Sequence, residues 1–268
     1  MNPSAGSTDT EPALDHFPEG GTALIQGAGR GIGLALVEAL LASDRVGRVY
    51  ATCRDPGRAD RLRTLAGAEP DRLRLLTLDL TDEGTIAAAA ETVAGETGRL
   101  HLLVNAGGVL YDDSGLWPEK KLDDVNPANL QRSFAVNACG PLLMAKHCRG
   151  LLRHGERAVF ASISARVGSI GDNRLGGWYA YRGAKAAQNM FTRGIAIEFG
   201  RSLRNVICVA LHPGTTDTGL SQPFQARVPE GKLFTPAFTA RRLLAVIDGL
   251  EAEDSGGFFA WDGQPIPW

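Results

Sequence analysis

The sequence predicts a doubly wound α/β fold, a mainly parallel β-sheet covered by helices on both faces. Two observations predict it. Short apolar runs alternate with longer segments whose apolar residues recur at helical spacing, and such alternation joins strands through right-handed βαβ crossovers. The first apolar run passes straight into a glycine cluster and then into a helical pattern. No repeat, long linker or shift of composition divides residues 21–268, which read as one domain.

The elements follow in order. Residues 22–26 (TALIQ) form the first strand, and 32–41 (IGLALVEALL) the helix beyond the glycines. Strands at 49–53 and 73–78 are separated by basic, polar sequence. An alanine-rich helix covers 81–96 and is followed by a strand at 102–104. A long helical pattern fills 130–152, then a strand at 158–162, a helix at 181–199 and a strand at 206–210. The helix 239–250 and the strand 257–261 complete seven strands. The irregular stretches 107–129, 164–178 and 214–236 follow strand ends, where ligands bind in such sheets. The substrate site is expected there.

Twenty-eight basic residues against thirty acidic ones leave a formal charge of -2, which gives no electrostatic case for nucleic acid or an anionic membrane. No apolar run approaches the ~20 residues a membrane helix needs. Cys53, Cys139, Cys148 and Cys208 are scattered and never spaced C-x-x-C, which suits a reducing cytoplasm. The five histidines are dispersed, and no metal site is expected. Residues 1–20 lack the charge and apolar stretch of a signal peptide and read as a flexible tail.

Gly27, Gly31 and Gly33 form G-x-x-x-G-x-G between the first strand and its helix. Glycine there admits positive φ and lets the backbone approach a diphosphate at a helix N-terminus, with Arg30 and Ile32 in the same turn. The second strand ends at Arg54, where an acidic residue would hold a free ribose 2′-hydroxyl and an arginine a 2′-phosphate. Arg54 and Arg30 together favour NADP(H) over NAD(H), which is the second candidate. Asp55-Pro56 reads as a helix start, with Asp55 as its cap. Asp79-Leu80 and Asn105-Ala106-Gly107 follow the third and fourth strands, where adenine and ribose would lie.

At the chemical end, Tyr181 and Lys185 stand at i and i+4 on one helix face, so the ammonium can sit beneath the phenol and favour phenolate. Tyr179 has Gly183 at its i+4 position, so Tyr181 is the better proton donor. The glycine turn, Asn105-Ala106-Gly107, Asn137 and Y-x-x-x-K in this order resemble the short-chain dehydrogenase/reductase family. Within it the chain is most similar to C-factor-like and sniffer-like carbonyl reductases, through stretches such as Gly177-Trp178-Tyr179-Ala180-Tyr181-Arg182 and the closing Asp262-Gly263-Gln264-Pro265.

The resemblance implies a Rossmann fold and a role for each matching residue. Tyr181 would be the general acid in reduction. Lys185 would lower its pKa and bind the nicotinamide ribose. Asn137 would hold a relay water, and Pro213, Gly214 and Thr218 would line the carboxamide. The register of the family's catalytic serine falls on Ala165, so Ser164 is assigned the substrate oxygen, with Ser162 and Ser169 as alternatives. Gln26 also departs from the family, standing where it usually has threonine. The expected activity is NADPH-dependent reduction of a small-molecule ketone or aldehyde. A cofactor-binding signalling protein with little turnover is the alternative. Trp117, Phe224 and Phe234 are expected to wall the pocket. Helices 130–152 and 181–199 are the expected contact of a homodimer or homotetramer, although some reductases of this group are monomers.

Overall fold

The computed structural model describes residues 14–268. Its strands are β1 (Gly21–Gln26), β2 (Val46–Cys53), β3 (Leu73–Thr77), β4 (Leu102–Asn105), β5 (Ala158–Ile163), β6 (Val206–His212), β7 (Thr215–Thr216), β8 (Leu233–Phe234) and β9 (Phe258–Ala260). Seven of them form a parallel sheet in the order β3-β2-β1-β4-β5-β6-β9, as expected, and β7 pairs with β8 beside it. Strand order reverses between β1 and β4, and a crevice opens above their carboxyl ends.

Burial on both faces explains the unbroken apolar runs. Ala23 and Ile25 pack on one side, with α1 (Gly31–Leu41), α2 (Asp60–Ala68) and α7 (Pro236–Asp248). Leu24 points to the other side, with α3 (Glu83–Glu96), α5 (Gly140–Cys148) and α6 (Tyr179–Ser202). Among the described residues no helix is long and apolar enough to cross a membrane.

Three expectations need correction. The pattern at 130–152 is not one helix: α4 (Pro127–Phe134) meets α5 through a π-turn at Ala135–Cys139. Pro141 has no N–H to give the Asn137 carbonyl four residues back, so the regular ladder cannot run through. The helix α2 was missed because, among its nine residues, only Leu62 is fully buried. The third concerns the tail. Its first thirteen residues lie outside the described residues, but Leu14 and Phe17 are 3% and 4% exposed and join the core. The His16 N–H donates to the Asp248 carboxylate at 3.0 Å. Two apolar anchors three residues apart suffice to dock a segment whose average composition is polar.

Candidate active site

The glycine turn is held by close backbone approaches. Gly27 has φ 81°, and a Cβ on it would stand 2.5 Å from the Gly107 nitrogen. A Cβ on Gly33 would lie 2.2 Å from the Gly27 carbonyl oxygen, so α1 can start only this close to β1 if position 33 is glycine. Gln26 accounts for its departure from the family: its Oε1 accepts the Gly107 N–H at 3.0 Å and ties the turn to the end of β4. Arg30, before α1, gives no side-chain cap, and no acidic residue occupies the first turn. The N–H groups of Gly31, Ile32 and Gly33 find no acceptor among the described residues. Such a helix start fits the diphosphate of a dinucleotide.

Arg30 and Arg54 are both exposed, and neither makes an ion pair among the described residues. Asp55 is committed elsewhere, accepting the Gly57 N–H at 3.0 Å as the cap of the turn Pro56–Arg58. That capping was legible in the sequence. Desolvation raises the Asp79 carboxyl, but hydrogen bonds from the Thr81 N–H and hydroxyl, aided by the charges of Arg54 and Arg132, hold it below its usual value. Asp79 and Arg54 thus share the groove end. Leu80 packs its side chain against Gly140 and can offer a ligand only backbone. The Asn105 amide nitrogen donates to Ser162 Oγ at 3.1 Å, while its Oδ1 is buried without a partner. Ala106 continues the sheet through its N–H to the Gln26 carbonyl at 2.9 Å.

On the other side of the crevice, Lys185 Nζ lies 5.8 Å from the centre of the Tyr181 ring, as the i, i+4 spacing requires. It donates to the Ile163 carbonyl and to Gln188 Oε1, each at 2.9 Å. Lys185 is 3% exposed, and burial pulls its pKa down to about 7. Burial pushes Tyr181 above its ordinary value, so within the protein alone desolvation outweighs the ammonium. The expected acidification of the phenol invokes an oxidised nicotinamide besides Lys185, and the protein groups alone leave the phenol neutral. A lysine depressed on folding loses stability as pH falls towards 7 and regains it as pH rises towards ~10.4. Denaturant unfolding of the wild type should therefore gain up to about 1.4 kcal/mol per pH unit over Lys185→Met in that window. Parallel profiles would contradict the shift.

Asn137 sits in the π-turn, a geometry often found at functional sites. Its Oδ1 accepts the Val109 N–H at 2.9 Å, and its Nδ2 donates to the Val109 carbonyl and to Ser133 Oγ. Ser133 donates in turn to the Ala180 carbonyl on α6. The side chain therefore stitches the loop after β4 to α6. A Cβ on Gly108 would meet Asn137 Oδ1 at 3.1 Å and Lys185 Nζ at 3.9 Å, so these groups converge.

Each of the three candidate serines has a protein partner. Asn189 Nδ2 donates to the Gly168 carbonyl at 3.3 Å, which leaves its Oδ1 to accept the Ser164 hydroxyl proton at 2.7 Å. To serve a substrate oxygen this hydroxyl would have to turn away from Asn189. The alternatives are engaged as well: Ser162 is buried against Asn105 and Ser169 donates to the Pro267 carbonyl. Ser164→Ala should therefore cost about 1–3 kcal/mol of stability by orphaning Asn189, with kcat falling less than about tenfold. A hundredfold loss of kcat at unchanged melting temperature would return Ser164 to the substrate.

The segment after β6 bends over the glycine turn. The Thr218 methyl stands 3.1 Å from where a Gly31 Cβ would be, and the Tyr111 hydroxyl donates to the Gly219 carbonyl. Pro213 is buried beside Gly214, whose φ is 73°. A chain of rings leads away from Tyr181: Trp178 is 6.3 Å from it, Phe224 5.0 Å from Trp178, and Trp117 5.5 Å from Phe224, with Tyr111 against both of the last two. Phe224 is thus one ring removed from the phenol and Trp117 two. Phe234 is not in this chain of rings, because it packs on Trp261 and Phe238 over Gly214.

Sequence reasoning missed two groups. Glu119, 2% exposed, accepts the Ala180 N–H at the start of α6 through Oε2 at 3.1 Å. His101, His154 and Glu156 converge within 4.8 Å at the opposite end of the sheet. His101 Nδ1 accepts the Thr22 N–H at 2.9 Å, so its Nε2 carries the ring proton towards Glu156 at 3.3 Å. The trio is a hydrogen-bonded network with no lone pair left on His101 for a metal. No local spacing signals either group.

The family pattern described as short chain dehydrogenase matches residues 21–228. The C-signal of Myxococcus xanthus is 38% identical over 172 residues, 64% of this chain and 95% of that protein. A 1-hydroxy-2-glutathionyl-2-methyl-3-butene dehydrogenase of Rhodococcus sp. (strain AD45) is 31% identical over 250 residues, 92% of this chain and 99% of that one. The solved structure of an NADPH-bound carbonyl reductase from chicken fatty liver superposes with a TM-score of 0.82 at 32% identity, covering 92% of this chain and 98% of the other.

Proposed function

The chain belongs to the short chain dehydrogenase family and is an NAD(P)-dependent oxidoreductase, and from that premise we propose that it reduces a ketone or aldehyde to an alcohol with NADPH. The observation that carries this reading is the Tyr181–Lys185 pair across the crevice from a helix start with three free N–H groups. A nicotinamide dinucleotide bound in the groove supplies the hydride. Gly27, Gly31, Ile32 and Gly33 would hold its diphosphate, and Arg30 and Arg54 its 2′-phosphate. Asp79, Leu80, Asn105, Ala106 and Gly107 would lie along its adenosine, and Pro213, Gly214 and Thr218 would flank the carboxamide. The NADPH-bound reductase among the similar structures supports the preference for NADP(H).

The Tyr181 hydroxyl has no acceptor among the described residues and is free to give its proton to the substrate oxygen. Burial keeps the phenol protonated until that step, which suits the reductive direction. Lys185 then faces the phenolate and offsets its charge, and Asn137 keeps the loop after β4 against α6. The ring chain from Trp178 to Trp117 favours flat, apolar carbonyl substrates.

An NADPH-consumption screen over aldehydes, ketones, quinones and steroid-like ketones, repeated with NADH, tests the proposal. Turnover of aromatic carbonyls with NADPH well above NADH is expected. The C-signal match favours a second reading, a cofactor-binding regulatory protein with little turnover. NADPH binding without consumption across the panel would select it. We also propose a homodimer or homotetramer through the outer faces of α5 and α6, where Leu142, Met190 and Ile197 are exposed, and a cytoplasmic site of action for a chain with four free thiols.

A further inference from the structure

A long helix needs acceptors for its first N–H groups, and α6 has none of its own: Trp178, the residue before it, offers no side-chain cap. The acceptor comes from another part of the chain. Glu119 lies in the loop after β4, sixty-one residues earlier, and its Oε2 takes the Ala180 N–H. Its backbone carbonyl takes the Trp178 N–H at 2.5 Å. Trp178 has φ 54°, the one non-glycine residue with positive φ among those described, and follows Gly176 and Gly177 in the same left-handed region. A Cβ on Gly177 would stand 3.2 Å from the Glu119 carbonyl oxygen, so the two segments are in close contact.

The same residue thus grips both ends of a three-residue step. Ala180 precedes Tyr181 directly, and the Trp178 ring lies 6.3 Å from the Tyr181 ring. A buried carboxylate at a helix N-terminus is favoured by the helix dipole, which offsets part of its desolvation. Its second oxygen, Oε1, is buried without a partner, while the Tyr179 and Tyr181 N–H groups have no acceptor among the described residues. We propose that Glu119 is a positioning residue that locks Tyr181 and Trp178 to the substrate loop, so that the phenol and the ring wall keep one geometry. This rests on the reading of Tyr181 as proton donor.

Glu119→Ala and Glu119→Gln test it, assayed with a turned-over aromatic aldehyde at a temperature well below either variant's melting point. Alanine should lower kcat at least tenfold and change the NADPH dissociation constant less than twofold. Glutamine, which keeps an acceptor for the Ala180 N–H, should recover kcat to within about threefold of wild type. A kcat within twofold of wild type in both variants, with only the melting temperature reduced, would overturn the proposal. So would a kcat loss matched by an equal loss of NADPH affinity. Should alanine fail to fold, Glu119→Asp, whose shorter side chain draws the acceptor away from the Ala180 N–H, takes its place: a kcat loss of at least tenfold that glutamine does not share supports positioning, and a kcat within twofold of wild type in both overturns it. Tyr181→Phe measured alongside separates the two readings, since activity in that variant would sink the proton-donor assignment itself.

Discussion

Tyr181→Phe is expected to lower kcat by roughly 10²–10⁴-fold, the usual contribution of a positioned general acid, while NADPH binds as tightly as before. The ring and its packing on Trp178 survive the change; only the hydroxyl goes. That hydroxyl has no protein acceptor among the described residues, so its removal orphans no buried group and should leave the melting temperature near wild type. Stopped-flow turnover and a cofactor titration separate the two effects. Loss of NADPH binding in the variant would mean that the phenol serves the cofactor and not the reacting oxygen. Retained turnover would move the proton donor elsewhere, with Tyr179 the nearest other phenol in sequence.

Arg54→Ala is expected to weaken NADPH by roughly 10–100-fold and NADH by less than about twofold, the range set by charge-assisted hydrogen bonds to a phosphate. The selectivity follows from the surroundings. Asp55 is oriented by the Gly57 N–H as the cap of the following turn, which directs one of its oxygens away from a ribose hydroxyl. Asp79 is already engaged by Thr81. Arg30, in the glycine turn, is assigned to the same phosphate, so the double variant should lose more than either single one. Equal losses for NADPH and NADH would place recognition of the 2′-phosphate elsewhere.

Much of this chain was legible because its signals are local. The glycines of the turn, the arginine closing β2 and the Tyr181–Lys185 spacing each lie within a few residues, and helix and strand geometry convert such spacing directly into position. Asp55-Pro56 is the same kind of signal and performs the capping its residue types imply. The tail failed on averaging: composition over twenty residues hides Leu14 and Phe17, whose burial depends on a core assembled far along the chain. The long pattern at 130–152 failed because apolar spacing does not register a missing N–H, and Pro141 broke the ladder where the pattern ran on.

The serines show the boundary clearly. Ser162, Ser164 and Ser169 are interchangeable in a string of letters, and counting from Gly168 cannot say where a hydroxyl proton goes. Their acceptors or donors, Asn105, Asn189 and Pro267, lie twenty-five or more residues away. Glu119 is hidden for the same reason, since its meaning depends on α6 arriving above it.

What the sequence by itself determined is the alternation of strands and helices, the family and the two local motifs that bracket the crevice, because backbone periodicity and steric demands act between near neighbours. What only the tertiary structure decided is which polar groups are already spent on one another and which remain free. A hydroxyl or carboxylate has few hydrogen bonds to give, and the partners that claim them are brought close by folding alone.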